Sequence, residues 1–175
     1  NLEIVEFPDS LEVVEEYAFD RCPKLSTVNL NNVKEVGNCA FQLCTSLTFI
    51  HVPGSLTTLV DHAFHGCENV STMVIAEGVK TIEEDAALNL YNLKNITIPK
   101  SVTSIEKGSF HSCSKLEKVE FEIKWEGKPS GLLERFLTVL HLNFTDYQIT
   151  KDELIIKKGF FKQITNTTEL YLLKD

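Results

Sequence analysis

Apolar residues recur along this chain in a fixed block, apolar-x-x-apolar-x-apolar. The block opens at Leu2, Leu25, Leu47, Val70, Leu93 and Leu116, with spacings of 23, 22, 23, 23 and 23 residues. The six copies read LEIVEF, LSTVNL, LTFIHV, VSTMVI, LKNITI and LEKVEF. Alternation inside each block predicts a short strand with one buried face, and the proline that follows at Pro8, Pro53 or Pro99 cannot donate to a ladder, so the strand ends there. An aliphatic pair comes next, such as Leu11 and Val14 or Val102 and Ile105. Each unit then closes on AFDRC, AFQLC, AFHGC or SFHSC, ending at Cys22, Cys44, Cys67 and Cys113. Repeat four carries AALNL instead, with Ala87 and Leu90 where Phe and Cys belong. Repeat two loses one residue between Leu30 and Val33, and the proline turn with it.

A coil of 23 residues cannot bury its own Leu, Val and Phe, but stacked coils place equivalent residues over one another and share a continuous interior. A solenoid is therefore expected, with one parallel strand per coil about 4.8 Å from the next. The closing segment is expected to return along the opposite side as a short helical or 3₁₀ turn, with the Phe three residues before the Cys so that both point inward. Phe19, Phe41, Phe64 and Phe110 then form a stacked aromatic spine.

The unit LxxVxLPxSLxxIxxxAFxxC resembles the BspA-type leucine-rich repeats, over residues 2 to 121. The resemblance implies an α/β repeat solenoid, a right-handed leucine-rich-repeat horseshoe with a parallel strand face and short helical or 3₁₀ returns. It also implies a place at the cell surface or in the secreted fraction, where such arrays in microbial proteins contact host matrix or other cells.

Residues 1–121 are expected to form the repeats, about five full units plus a sixth strand, and residues 122–175 degenerate or capping repeats with an insertion. The register is carried onward by Leu133, Phe136, Val139, Leu142 and Phe144, and again by Phe161, Ile164, Leu170 and Leu172. A competing reading makes a small helical element of the segment GLLERFLTVLHL, whose apolar spacing also suits a helix. Because Asn1 opens directly on a repeat block, further coils upstream are expected.

Composition narrows the function. With 43% hydrophobic residues the 175-residue chain can form a core, and no window of roughly 18 apolar residues offers a membrane-spanning helix. Seventeen Lys and Arg against 25 Asp and Glu leave a net charge of -8, which argues against nucleic acid, since phosphate backbones call for cationic side chains. No membrane insertion and no nucleic acid are expected. Four of the five cysteines share one slot, where Leu90 substitutes, which reads as free buried thiols. Cys39 sits in a different slot, held elsewhere by Tyr17, His62, Asp85 and Gly108, and is the thiol expected to react if any does. The histidines are scattered: His65 and His111 share a slot two coils apart, and His51 and His141 lie four coils apart. No nucleotide, nucleophile-elbow or zinc signature is present, so no catalytic residues, no metal and no cofactor are expected. The remaining enzyme reading, a site within residues 122 to 175, rests only on the insertion there. Candidate glycosylation sequons begin at Asn69, Asn95, Asn143 and Asn166.

The outward strand positions predict two columns. One holds Ile4, Thr27, Phe49, Thr72, Asn95, Lys118 and His141; the other holds Glu6, Asn29, His51, Val74, Thr97, Glu120 and Asn143. Fixed from beneath at regular spacing, they make a flat face suited to a macromolecule. Phe49, His51, Thr72, Val74, Asn95 and Thr97 are the candidate ligand-binding residues, and the expected function is a non-enzymatic interaction or adhesion module for a protein or glycan partner. The alternative is an intracellular scaffold segment in the cytoplasm, where thiols stay reduced.

Overall fold

The computed structural model describes residues 2–121, together with the backbone of two later strands. Among the described residues eleven strands follow in chain order: β1 (Val13–Val14), β2 (Glu35–Val36), β3 (Phe49–Val52), β4 (Thr58–Leu59), β5 (Thr72–Ile75), β6 (Thr81–Ile82), β7 (Asn95–Ile98), β8 (Ser104–Ile105), β9 (Lys118–Phe121), β10 (Tyr147–Ile149) and β11 (Glu153–Ile156). β1 to β9 make a parallel-strand β-solenoid of about five turns. Consecutive coils pair β3, β5, β7 and β9 in parallel, with the register Phe49, Thr72, Asn95, Lys118 running straight across. In coils one and two the same face is joined by a single bridge, Ile4 to Thr27.

The aliphatic pair that follows each turn builds a second ladder that the alternation pattern did not announce. β4, β6 and β8 pair in parallel, and β1 pairs with β2 separately. Two-residue strands are below what periodicity can detect, because one alternation carries no signal.

The interior is the expected stack. Ile50, Met73, Ile96 and Val119 lie beneath the first ladder, and Val14, Val36, Leu59, Ile82 and Ile105 beneath the second, all buried. Phe19 lies flat on Phe41, and Phe41 on Phe64, with centroids 5.3 Å apart in both pairs and planes within 8°. Phe7 tilts onto the outer side of Phe19 at 5.6 Å. Phe110 is buried two coils beyond Phe64, with the buried Ala87 in the coil between.

The returns differ from expectation: among the described residues there is no helix, α or 3₁₀. Each return instead holds two residues in the left-handed region. One column is Tyr17, Cys39, His62, Asp85 and Gly108, with φ between 54° and 79°; the other is Arg21, Leu43, Gly66, Asn89 and Ser112, with φ between 54° and 71°. A left-handed residue every fourth position stops a right-handed helix from propagating, at about 1–2 kcal/mol for each L-residue so placed. Main-chain bonds between coils offset that cost. Tyr17, Phe19 and Arg21 donate to the carbonyls of Asn38, Ala40 and Gln42, and Cys39, Phe41 and Leu43 donate to those of Asp61, Ala63 and His65. Alternate amides close local turns, as Ala18 to Glu15 and Asp20 to Tyr17.

At the far edge of the first sheet, β9 pairs with β11 in antiparallel fashion, Val119 opposite Leu154, and β11 pairs in turn with β10. The place beside β9 that a further coil's strand would take is therefore held by a reversed strand. The degenerate-coil residues Leu133 to Phe144 and Phe161 to Leu172 lie outside the described residues, as does the competing helical segment.

Candidate interaction face

The strands of the first sheet alternate buried and outward residues without exception from β3 to β7. Register and burial together place the outward side chains in two straight columns. Phe49, Thr72, Asn95 and Lys118 form one; His51, Val74, Thr97 and Glu120 form the other. All six candidate residues, Phe49, His51, Thr72, Val74, Asn95 and Thr97, thus lie on one face, at about 4.8 Å intervals across the strands. The outlying column members His141 and Asn143 lie outside the described residues.

The face changes character along the stack. Near coils three and four it is apolar, with Phe49 50% exposed and Val74 half-buried beside it, and Ile4 in the first coil is 64% exposed. Towards β9 it is polar. Lys118 Nζ donates to Glu120 Oε1, and Thr97 Oγ1 donates to Glu120 Oε2 at 3.3 Å. The Lys118 ammonium, against a smaller opposing effect of burial, holds the Glu120 carboxyl below its usual range. The polar end is thus internally tied, while at the apolar end Phe49 and Ile4 stand exposed.

The returns on another side of the body carry the remaining chemistry. The shared cysteine slot is more than a gap for a small hydrophobe: Cys44 Sγ donates to the Phe19 carbonyl at 3.1 Å, and Cys67 Sγ to that of Phe41 at 3.2 Å. Burial pushes the Cys44 and Cys113 thiols up to about 12, and the Cys67 thiol up as well. All five cysteines are free. Cys22 and Cys39 are the half-exposed ones, and burial raises the Cys39 thiol despite its hydrogen bond with Tyr17.

Two histidines from different slots of the repeat come together. His62 and His65 lie in the same return with ring centroids 5.0 Å apart, edge to face. His62 Nδ1 meets Asp61 Oδ1, His65 Nε2 meets Asn89 Nδ2 at 3.2 Å, and His65 Nδ1 is buried with no partner. Burial lowers the His65 imidazole, with His62 adding to the fall and Asp85 and Asp61 opposing it. The signal was in the sequence: positions three apart on one tight turn approach each other. Among the described residues no group of three His, Cys, Asp or Glu side chains is placed to hold a metal ion. No helix among them is long and apolar enough to cross a membrane.

The sequon asparagines divide. Asn95 is exposed on the strand face. Asn69 is committed to an inter-coil ladder, in which its Nδ2 donates to the Thr45 carbonyl at 2.8 Å and its Oδ1 accepts from Asn92 Nδ2. Asn143 and Asn166 lie outside the described residues.

The model of the BspA type leucine rich repeat region matches in six copies, over residues 1–117, 34–146 and 86–175. Among solved structures, a leucine rich cell surface protein from Faecalibacterium prausnitzii is 28% identical, with a TM-score of 0.66 over 76% of this chain and 34% of its own. The leucine rich repeat protein of T. pallidum is 30% identical, with a TM-score of 0.63 over 67% of this chain and 57% of its own. A leucine-rich repeat protein from Bacteroides ovatus is 27% identical, with a TM-score of 0.54 over 67% of this chain and 35% of its own. The chain thus spans between about a third and just over half of the length of these structures. Among curated proteins nothing matches it.

Proposed function

Because the chain belongs to the BspA-type leucine-rich repeat family, we propose that it is a non-enzymatic recognition module whose strand face binds a macromolecular partner, protein or glycan. The observation that carries this is the pair of columns. Every outward side chain from β3 to β9 stands on a backbone held by parallel pairing and on a buried neighbour, so a broad partner meets a surface ordered in advance. Phe49, on the end strand β3, and Val74 on β5 are its anchors, because large apolar side chains held on an ordered backbone contribute the most on burial. His51, Thr72, Asn95 and Thr97 surround them and set register through hydrogen bonds.

Residues 1–121 are the binding body in this reading, and 122–175 close it. Surface or secreted placement is supported by the similarity to a cell surface protein; five free thiols favour the cytoplasmic alternative. Intact-mass analysis of native material separates the two, since glycan at Asn95 places the chain on the secretory route and bare asparagines with five thiols place it inside. Binding is tested with immobilised matrix proteins and glycan arrays. Phe49→Ala combined with Val74→Ala abolishes capture while thermal unfolding hardly moves; capture at unchanged affinity removes the face from consideration.

A further inference from the structure

Between full coils, main-chain bonds on both strand sides recur at every junction but one. From coil one to coil two, the amides of Ser26, Lys34 and Gly37 donate to the carbonyls of Glu3, Glu12 and Val14 at 2.7–2.9 Å. From coil three to coil four, Ser71, Lys80 and Glu83 donate to Thr48, Thr57 and Leu59, and from coil four to coil five Lys94, Thr103 and Glu106 repeat the pattern onto Ser71, Lys80 and Ile82. The equivalent amides of coil three, Thr48, Thr57 and Val60, make no such bond to coil two. Neither β3 nor β4 pairs with any strand on that side. Both strand ladders are open at the same junction.

What crosses it lies mostly on the return side. Cys39, Phe41 and Leu43 keep their main-chain bonds, the Phe41 and Phe64 rings stack, Cys67 Sγ reaches the Phe41 carbonyl, and Asn69 Nδ2 reaches that of Thr45. Ser55 Oγ donates to the Val33 carbonyl at 2.6 Å as the one bond near the turns. The cause is legible in the chain. Coil two is one residue short between Leu30 and Val33, so its perimeter is smaller than that of coil three and its strand side does not match the one that follows.

We propose that the solenoid bends at the junction of coils two and three, with coils one and two moving as one plate against coils three to five about the return-side spine. The bend sets the angle between Ile4 and Thr27 on one plate and Phe49 and His51 on the other, so the strand face adapts to partners of different curvature.

Residual dipolar couplings of the ¹⁵N-labelled protein test this directly. Amides of coils one and two are expected to need an alignment tensor of their own, smaller in magnitude than that of coils three to five; one tensor that fits all five coils overturns the proposal. Hydrogen exchange checks the plates. Thr48, Thr57 and Val60 exchange at least about tenfold faster than Ser71, Lys80 and Glu83, while Lys34 and Gly37 stay protected; equal protection at both sets, or loss of it at Lys34 and Gly37 as well, speaks against a bend between two firm plates. Inserting a proline after Leu30 restores the full repeat length and is expected to merge the tensors. Should that variant fail to fold, the couplings of the unaltered protein still decide.

Discussion

At the scale of single residues, the spine and the thiols set the terms. Phe64 is fully buried with a ring stacked on Phe41, so Phe64→Ala leaves a cavity between two coils and costs about 3–5 kcal/mol, read from urea unfolding. The thiols divide by burial: alkylation of the native protein modifies Cys22 and Cys39, and Cys44, Cys67 and Cys113 react only after unfolding. Mass spectrometry of the labelled peptides shows which. His65 gives the pH response. Its imidazole is held below the ordinary value of about 6.5, so the unfolded chain takes up a proton that the folded one refuses. Stability therefore falls as the pH drops below about 6.5 and until the folded imidazole protonates, and His65→Gln flattens that slope in a series of melting curves.

At the scale of elements, the return is the part whose form the sequence withheld. Strand blocks, the buried slot and the spine follow from apolar spacing, and the columns of the face follow from period two. The left-handed pair in each return does not, since Tyr17, Cys39, His62 and Asp85 share a backbone conformation but no chemistry. Their variety read as tolerance to side-chain identity, and the cause is a φ that none of them prefers. Gly66 is the informative member: it sits at φ 71°, and a Cβ there would come within 2.6 Å of Leu43 Cδ2. Gly66→Ala is expected to destabilise by about 1–2 kcal/mol, while Ser112→Gly in the same column is expected to raise the melting temperature. Coil four shows how a coil departs from the pattern as a unit. Ala87→Phe alone crowds Leu90 and costs about 1–3 kcal/mol, and adding Leu90→Cys recovers part of the loss, an interaction that a double-mutant cycle measures.

At the scale of the whole molecule, a stack is only as cooperative as its junctions. Of the four junctions between full coils, those of coils three with four and four with five carry ladders on both strand sides, that of coils one with two carries a single bridge on one side and a short ladder on the other, and that of coils two with three carries neither. The missing residue was visible in the repeat count, but its effect on pairing was not, because a deletion in a turn can be absorbed on either side. The opposite end has a different logic. Parallel strands can recruit an identical neighbour without limit, which is how stacked coils from separate chains would grow into fibres. With β11 reversed against β9 and β10 covering β11 in turn, the edge of β9 that an incoming copy of a coil would pair with is already taken, so a second chain cannot lengthen the stack by repeating the parallel rung there.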